Sequence, residues 1–189
     1  MPATRHHWRV LVRHAEPERD AAACAAIYAP YVADTSISFE EEPPTAARFA
    51  AHIADTSARY PWLVLEDGGA VVGYAYATQH RARAAYRWAV DVGIYVDPDH
   101  HRGGAGRTLY EALFELLRRQ RLHSACAGIT LPNDASVGLH RALGFQHVGT
   151  YRSIGWKAGA WLDVAWWQLR LAPDGDGAAP AEPLGPQRL

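Results

Sequence analysis

Apolar positions along the chain follow two spacings, the two-residue period of strands and the three- to four-residue period of helices. Alternating or β-branched runs bounded by turn residues predict strands, and alanine-rich runs or a leucine stripe predict helices. The predicted strands are Arg9–Arg13, Trp62–Glu66, Ala70–Thr78, Trp88–Val96, Ser124–Leu131, Phe145–Trp156 and Trp161–Leu171. The predicted helices are Glu16–Ala33, Ala46–Arg59, Arg107–Arg121 and Asn133–Leu143.

The order of these elements is β-α-α-β-β-β-α-β-α-β-β, in which strands and helices mix without strict alternation. This order predicts an α+β or mixed α/β sheet rather than a doubly wound one. A length of 189 residues favours a single domain, which we expect to cover residues 1–171. From residue 172 to 189, Pro, Gly, Ala and Asp dominate without periodicity, which predicts a disordered tail.

Composition narrows the classes of function. Lys and Arg total 19 against 20 Asp and Glu, for a net charge of -1, so we expect no nucleic-acid partner and no polybasic membrane anchor. There is no long uncharged apolar run to span a membrane, and the charged segment before residue 20 does not resemble a secretory signal. Two distant cysteines, Cys24 and Cys126, favour neither structural zinc nor a disulfide framework. A cytoplasmic enzyme is the expectation.

The segment Asp91–Tyr110 carries the strongest chemical signal: a strand, a glycine-rich turn and then a helix. Free amides and the helix dipole at such a helix start favour phosphate oxygens. A P-loop would need a lysine, which the segment lacks, and a dinucleotide fingerprint would need a third glycine where Leu109 stands. A tight turn without ligand is the plain alternative. The third motif, [Q/R]xxGx[G/A], is the pyrophosphate loop of GNAT N-acetyltransferases, matched by Gly104-Ala105-Gly106 with His101 at the Gln/Arg position.

The resemblance extends well beyond this loop. YPWLV (60–64), TLYEAL (108–113), LPNDASVGLHRALGF (131–145) and the Trp-rich last strand resemble the phosphinothricin and methionine sulfoximine acetyltransferase branch of the GNAT superfamily, over roughly Arg9–Leu171. This resemblance implies a mixed, mostly antiparallel twisted sheet of about seven strands, splayed between strands 4 and 5 and flanked by four helices. It also implies acetyl-CoA as co-substrate, a homodimer and no metal.

The resemblance assigns cofactor contacts by position. The pantetheine arm of acetyl-CoA would pair with the strand edge at Ile94, Tyr95 and Val96. The pyrophosphate would rest on the main chain of Arg102, Gly103, Gly104, Ala105, Gly106 and Arg107. Asn133 corresponds to an asparagine that hydrogen-bonds the cofactor arm, and it is equally a natural helix N-cap. Gly93, inside the strand, suits a bulge or a close approach.

Two residues are candidates for proton transfer. Asp91 alternates with Val90 and Val92, so it points away from the apolar face of its strand. The relatives carry Glu there. Because an α-amine has a pKa about 4 units above that of an ordinary Asp, Asp91 must have a raised pKa or act through water. The resemblance places His140 where a residue protonates the departing CoA thiolate. The plain alternatives are a charge beside the sheet for Asp91 and a half-buried core imidazole for His140.

The acceptor would bind between two further segments. The relatives hold the carboxylate and the tetrahedral phosphorus or sulfur group of the acceptor with the segment that here contains Arg81, Arg83 and Tyr86. Phe39 resembles the aromatic residue that closes over the substrate. An exposed arginine is often only a solvated charge, and this chain has a single lysine, Lys157, among its basic residues.

We therefore expect an N-acetyltransferase in which a small amino-acid-like acceptor attacks acetyl-CoA directly. No acetyl-enzyme is expected, because neither cysteine is predicted beside the site. Another amine (a polyamine, an aminoglycoside or a protein N-terminus) and a non-catalytic acyl-CoA-binding domain are the alternatives. Trp161, Trp166 and Trp167 are candidates for the dimer contact.

Overall fold

The computed structural model describes residues 10–175 and 177–189, and every predicted element is found there. The strands are β1 (Val10–His14), β2 (Trp62–Asp67), β3 (Ala70–Gln79), β4 (Ala89–Val96), β5 (Ser124–Thr130), β6 (Gln146–Lys157) and β7 (Ala160–Arg170). The helices are α1 (Pro17–Ala33), α2 (Ala46–Ser57), α3 (Ala105–Arg119) and α4 (Asp134–Ala142). The start of the first predicted strand, Arg9, lies outside the described residues.

The strands form one seven-stranded sheet in the order β1-β2-β3-β4-β5-β7-β6. All neighbours are antiparallel except β4 and β5, which run parallel. This parallel pair is joined over three residue pairs only, from Ala89 opposite Ser124 to Asp91 opposite Cys126. Beyond Asp91 the two strands part, which confirms the predicted splay between strands 4 and 5.

The two faces of β4 point into different layers. Val90 and Val92 belong to a core cluster with Leu109 and Leu113 of α3. On the opposite face, Tyr95 packs against a second cluster formed by the sheet with α1 and α2. Since strand side chains alternate, Asp91 lies on the same face as Tyr95, toward α1 and α2.

Helix α3 begins at Ala105, two residues earlier than the leucine pattern predicts. Gly104 is its N-cap, with φ of 87°, a conformation that costs glycine little. Gly106 therefore lies inside the first helical turn rather than in the preceding loop. The apolar stripe predicted for this helix is buried as expected, with Leu109, Leu113 and Leu117 all at 0% exposure.

The connection between α1 and α2, residues 34–45 (the α1–α2 loop), is tied to the far side of the sheet. The Lys157 ammonium, at the end of β6, donates to Val32 O and Ser38 O, each at 2.7 Å. Thr130 Oγ1, at the end of β5, donates to Ile37 O at 3.2 Å. The single lysine of the chain thus holds the α1–α2 loop against the end of α1.

Beyond β7 the described residues, 171–175 and 177–189, run back along the domain and form neither a helix nor a strand. Glu182 holds the Arg87 guanidinium through two hydrogen bonds of 2.7 and 2.8 Å. Leu184 exchanges main-chain and side-chain hydrogen bonds with the buried Gln120. Disorder of residues 172–189 in solution stays a prediction. Among the described residues, none of the helices has the length and apolar content needed to cross a membrane.

Candidate active site

Asp91 stands at the point where the sheet opens. Its Oδ1 accepts a hydrogen bond of 2.7 Å from His80 Nδ1, and its Oδ2 has no partner among the described residues. The side chain is 32% exposed and that of His80 is 17% exposed, so the pair lies in a partly closed pocket. Burial raises the pKa of Asp91, whereas the hydrogen bond from His80 and the nearby charge of Arg81 lower it. The net direction is upward, as a proton acceptor facing an amine requires.

Cys126 lies directly across the sheet from Asp91. Its Sγ, a donor atom of His80 and a carboxylate oxygen of Asp91 all lie within 4.8 Å of one another. The expectation that neither cysteine is beside the site was therefore wrong, because strand pairing brings residue 126 to residue 91. Burial raises the pKa of the Cys126 thiol to about 11, so the group is a thiol at neutral pH and a poor nucleophile.

The segment after β3 folds over this pocket. A single turn of 3-10 helix, Ala84–Tyr86, places the Tyr86 ring against the His80 imidazole, with centroids 5.8 Å apart. Arg81 is exposed, and its charge acts on both Asp91 and Cys126. Arg83 is also exposed, and its carbonyl accepts a hydrogen bond of 2.9 Å from the main-chain amide of Tyr86.

Phe39 approaches from the other side, on the α1–α2 loop. Its ring covers Gly155 of β6 so closely that any side chain at Gly155 would overlap it. The ring is still 42% exposed. Lys157, two residues further along β6, donates to the main chain of the same loop at Ser38. Strand β6 therefore positions both the ring of Phe39 and the main chain beside it.

The edge of β4 beyond Asp91 has no β5 partner, and it contains Ile94, Tyr95 and Val96. Val96 O accepts a hydrogen bond from the Tyr31 hydroxyl of α1, and His101 Nε2 lies 2.9 Å from that hydroxyl. The main chain at the end of the open edge is thereby tied to α1 and to the glycine turn.

The glycine turn leads from this edge into α3. Gly104 faces open space, and a Cβ at Gly103 would only touch a carbonyl oxygen at 3.6 Å. Arg102 is left-handed, with φ of 64°, an unfavourable conformation for a residue with a side chain. The main-chain amides of Ala105, Gly106 and Arg107 open the helix, where intrahelical acceptors are missing. The turn thus offers free amides to an anion.

Two residues of this turn differ from expectation in their surroundings. A Cβ at Gly106 would lie 3.0 Å from Leu139 of α4, so this glycine serves helix packing rather than only ligand approach. The Arg107 guanidinium binds Glu111 at 3.1 Å and Ala142 O at 3.3 Å, away from the turn. Only the Arg107 amide remains to face a phosphate.

Asn133 acts as the N-cap of α4, since its side chain accepts a hydrogen bond of 3.1 Å from Ser136 N. Its amide nitrogen has no partner among the described residues. The two predicted roles of Asn133 are therefore compatible, because its side-chain oxygen caps the helix and its amide nitrogen can donate to a cofactor.

His140 is 2% exposed and packed between Tyr110 and Phe145. The carbonyl of Ser136 lies 2.8 Å from Nδ1, which places the proton on that nitrogen. Nε2 then accepts from the Tyr110 hydroxyl at 3.2 Å. Burial lowers the pKa of His140, so the ring is neutral near pH 7. These surroundings disfavour the imidazolium that a thiolate-protonating role requires.

Gly93 is explained by packing. The β3–β4 register runs through it without a bulge, and a Cβ there would lie 2.8 Å from the Tyr76 ring. Beside it, an aromatic cavity of about 430 Å³ lies beneath α1 and α2. Its walls include Tyr28, Phe49, Trp62 and Tyr76. Tyr76 pairs with Gly93, two residues along β4 from Asp91.

Sequence reasoning missed His80 and Cys126. For His80 a signal existed, because residues 76, 78 and 80 share the face of β3 that borders Asp91. No local signal existed for Cys126, whose position depends on which strands pair.

A sheet opened between two parallel strands, with a carboxylate at the opening and an amide-lined helix start beyond it, is the architecture of a GNAT acyltransferase. Residues 14–166 match the family model described as acetyltransferase (GNAT) domain, and the chain belongs to this family. It is 41% identical over 167 residues to phosphinothricin N-acetyltransferase of Streptomyces viridochromogenes, covering 88% of this chain and 89% of that one. It is also 41% identical to the L-methionine sulfoximine/L-methionine sulfone acetyltransferase of Pseudomonas aeruginosa, covering 78% and 87%. A GNAT phosphinothricin acetyltransferase from Sinorhizobium meliloti, solved in complex with AcCoA, superposes with a TM-score of 0.85 at 34% identity, covering 92% and 94%.

Proposed function

We propose that this chain transfers the acetyl group of acetyl-CoA to the amine of a small amino-acid-like acceptor that carries a tetrahedral phosphorus or sulfur group. The observation that carries the proposal is the position of Asp91 at the last residue pair before the sheet opens. A cofactor arm paired with the open edge of β4 and anchored at the glycine turn would direct its thioester toward that carboxylate. The names of the similar enzymes support the acceptor class.

In the proposed reaction, Asp91 takes a proton from the acceptor ammonium, directly or through one water molecule. The amine lone pair then attacks the thioester carbon, the C–S bond breaks, and the CoA thiolate leaves. The attacking nitrogen gives up a second proton to solvent, which leaves the neutral amide. His80 donates to Asp91 Oδ1 and so leaves Oδ2 available to the incoming proton. The raised pKa of Asp91 reduces the difference between its pKa and that of the acceptor amine, which makes the proton transfer easier. The reaction needs no acetylated cysteine.

For the thiolate, the proton-donor role predicted for His140 needs a charged ring, which burial opposes. We propose that His140 is a positioning residue that links α4 to Tyr110 of α3. A thiolate with a pKa of about 8.5 can leave as the anion and take its proton from water.

Arg81, with Tyr86 beside it, is the proposed anchor for the acidic groups of the acceptor. The guanidinium is exposed and close enough to Asp91 to influence its pKa. Arg83 is retained in the proposal as a second cation on the same segment. Phe39 would cover the acceptor from the α1–α2 loop.

The test is thiol release from acetyl-CoA with a panel of amines. We expect release with phosphinothricin and methionine sulfoximine, and little with a polyamine, an aminoglycoside or a peptide N-terminus. Arg81→Gln should raise the KM of the acceptor about tenfold or more without changing the KM of acetyl-CoA, since a charged hydrogen bond contributes about 1.5–3 kcal/mol. Arg152→Gln, which removes an exposed arginine on β6, is the matched control. Release with none of these amines, alongside intact acetyl-CoA binding, would favour a non-catalytic domain.

We also propose a homodimer formed through the β6–β7 hairpin, in the cytoplasm. The hairpin exposes five large apolar side chains, and Trp156 and Trp161 among them are in contact, which supports an interaction surface: Val148, Tyr151, Ile154, Trp156 and Trp161. Trp167, by contrast, is 8% exposed in the core, and Trp166 packs against His80, so of the three tryptophans expected at the contact the proposal relies on Trp161. Light scattering should show a dimer that Trp156→Glu converts to a monomer, and a monomeric wild-type chain would refute it.

A further inference from the structure

We propose that His80, Asp91 and Cys126 form a site for a zinc-like divalent cation, and that an ion bound there prevents the Asp91 carboxylate from accepting a proton. The three side chains come from three different parts of the chain: His80 directly follows β3, Asp91 is the third residue of β4, and Cys126 is the third residue of β5. The fold alone therefore brings an imidazole nitrogen, a carboxylate oxygen and a sulfur together.

The donor atoms are already near the separation that a metal requires. In a tetrahedral site with bonds of about 2.0 Å to N and O and about 2.3 Å to S, donor atoms lie about 3.3–3.5 Å apart. Here Nδ1 and Oδ1 are 2.7 Å apart, and all three donors lie within 4.8 Å. Rotations of the side chains are enough to close this difference, because Asp91 and Cys126 are held opposite each other by the strands.

The type of donor selects the ion. Imidazole, carboxylate and thiolate together suit Zn²⁺, Co²⁺ or Cd²⁺, whereas Mg²⁺ and Ca²⁺ prefer oxygen ligands only. The Cys126 thiol would lose its proton to solvent when the sulfur binds, as coordinating thiols do. The neutral imidazole would carry its proton on Nε2, leaving Nδ1 for the metal.

The charge around the site permits a cation. Asp91 and a Cys126 thiolate would supply two negative charges against the two of the ion. Arg81 is the opposing cation, and it is exposed to solvent, which screens its charge. The fourth position of a three-ligand site would hold water.

Cobalt binding by the full-length, tag-free chain tests the site without reference to activity. Titration of the metal-free protein with Co²⁺ should produce visible ligand-field bands and a near-ultraviolet thiolate-to-cobalt band that saturate at one ion per chain. Zn²⁺ should displace both. Cys126→Ser should abolish the thiolate band and weaken binding at least about tenfold, given that even the loss of an outer-shell partner costs 10–100-fold.

Cys24→Ala is the matched control, because Cys24 is fully buried on the inner face of α1, in the second core cluster and away from the site. It should keep the thiolate band. His80→Gln, in the loop after β3, is a second variant should Cys126→Ser melt early, and it should weaken Co²⁺ binding while sparing the fold. The absence of a thiolate band in the wild-type chain, or its persistence in Cys126→Ser, would overturn the proposal.

The predicted inhibition by the metal rests on the proposed function, and its test is separate from the test of metal binding. Zn²⁺ should inhibit thiol release competitively with the amine and not with acetyl-CoA, and Cys126→Ser should reduce that inhibition relative to its own metal-free rate. A cobalt site that forms without any such inhibition would count against Asp91 as the proton acceptor, and not against the metal site.

Discussion

Asp91 and Cys126 are the last residue pair that joins β4 to β5 before the two strands separate. Side chains at this position are supported by a hydrogen-bonded ladder on one side and face the opening on the other. A carboxylate here is held by the sheet and still reaches the space where the strands diverge. That combination explains why the candidate base lies on a strand rather than on a loop.

Replacing Asp91 with Asn should lower kcat by about 10²- to 10⁴-fold, the usual contribution of a positioned base. Affinity for acetyl-CoA, measured by calorimetry, should not change, because the proposed cofactor contacts lie further along β4 and in the glycine turn. Asp91→Glu, which keeps the carboxylate on a side chain longer by one methylene, should keep most of the activity. An Asn variant within a few-fold of wild type would exclude Asp91 as the proton acceptor.

His140 should contribute stability that depends on pH. Its pKa in the folded chain is below the ordinary value of 6.5, so the unfolded chain binds more protons as the pH falls through that value. The contribution is therefore complete above pH 6.5 and is lost on acidification below it. Thermal melts of wild type and His140→Asn should differ less at pH 5 than at pH 8.

The same variant separates two roles for His140. A positioning role predicts a lower melting temperature, with the cost of about 1–3 kcal/mol expected for an unpaired buried group, and an unchanged pH profile of kcat. A proton-donor role predicts loss of one limb of that pH profile in a chain of normal stability.

Lys157→Met should loosen the α1–α2 loop without altering the cofactor site. The loss of the hydrogen bonds to Val32 O and Ser38 O should raise the KM of the acceptor several-fold, because Phe39 is no longer held in place. The KM of acetyl-CoA should stay constant. Arg152→Met is the control, since it removes a cation from β6 that binds Asp163 and not the loop. An equal rise in the KM of the acceptor in both variants would show that the positive charge of β6, and not the hydrogen bonds to the loop, sets this KM.

Gly106→Val should destabilise the chain by about 1–3 kcal/mol, the usual cost of overpacking, because its side chain would meet Leu139. Leu139→Ala in the same chain should recover part of this loss, as expected for residues in contact. Gly103→Ala, next to open space, should melt like wild type. Denaturant unfolding measures all three. An additive double variant would show that the two positions do not touch.

The element order was predictable because it follows from short-range signals, whereas the splay between the fourth and fifth strands was predicted from the family resemblance. Period-two runs, helix caps and the glycine turn are each encoded within a few residues, and the family resemblance supplied the strand arrangement. Helix α3 was misplaced by two residues, since Gly104 can end a loop or cap a helix and only the backbone conformation decides which.

The candidate site divides in the same way. Asp91 and the glycine turn are sequence-local features, whose place could be stated from the chain alone, whereas the open edge of β4 was expected from the family resemblance. The environment of His140 could not, because its neutral state depends on Tyr110 and Phe145, which reach it from neighbouring elements.

By itself, the sequence determined the periodicity of the elements, the glycine turn before α3 and the choice of a carboxylate at residue 91. Only the tertiary structure decided that His80 and Cys126 join this carboxylate, that Lys157 holds the α1–α2 loop, and that Trp167 is core rather than surface. The physical reason is that these relationships connect residues tens of positions apart. Such contacts depend on strand pairing and packing, which no local pattern encodes.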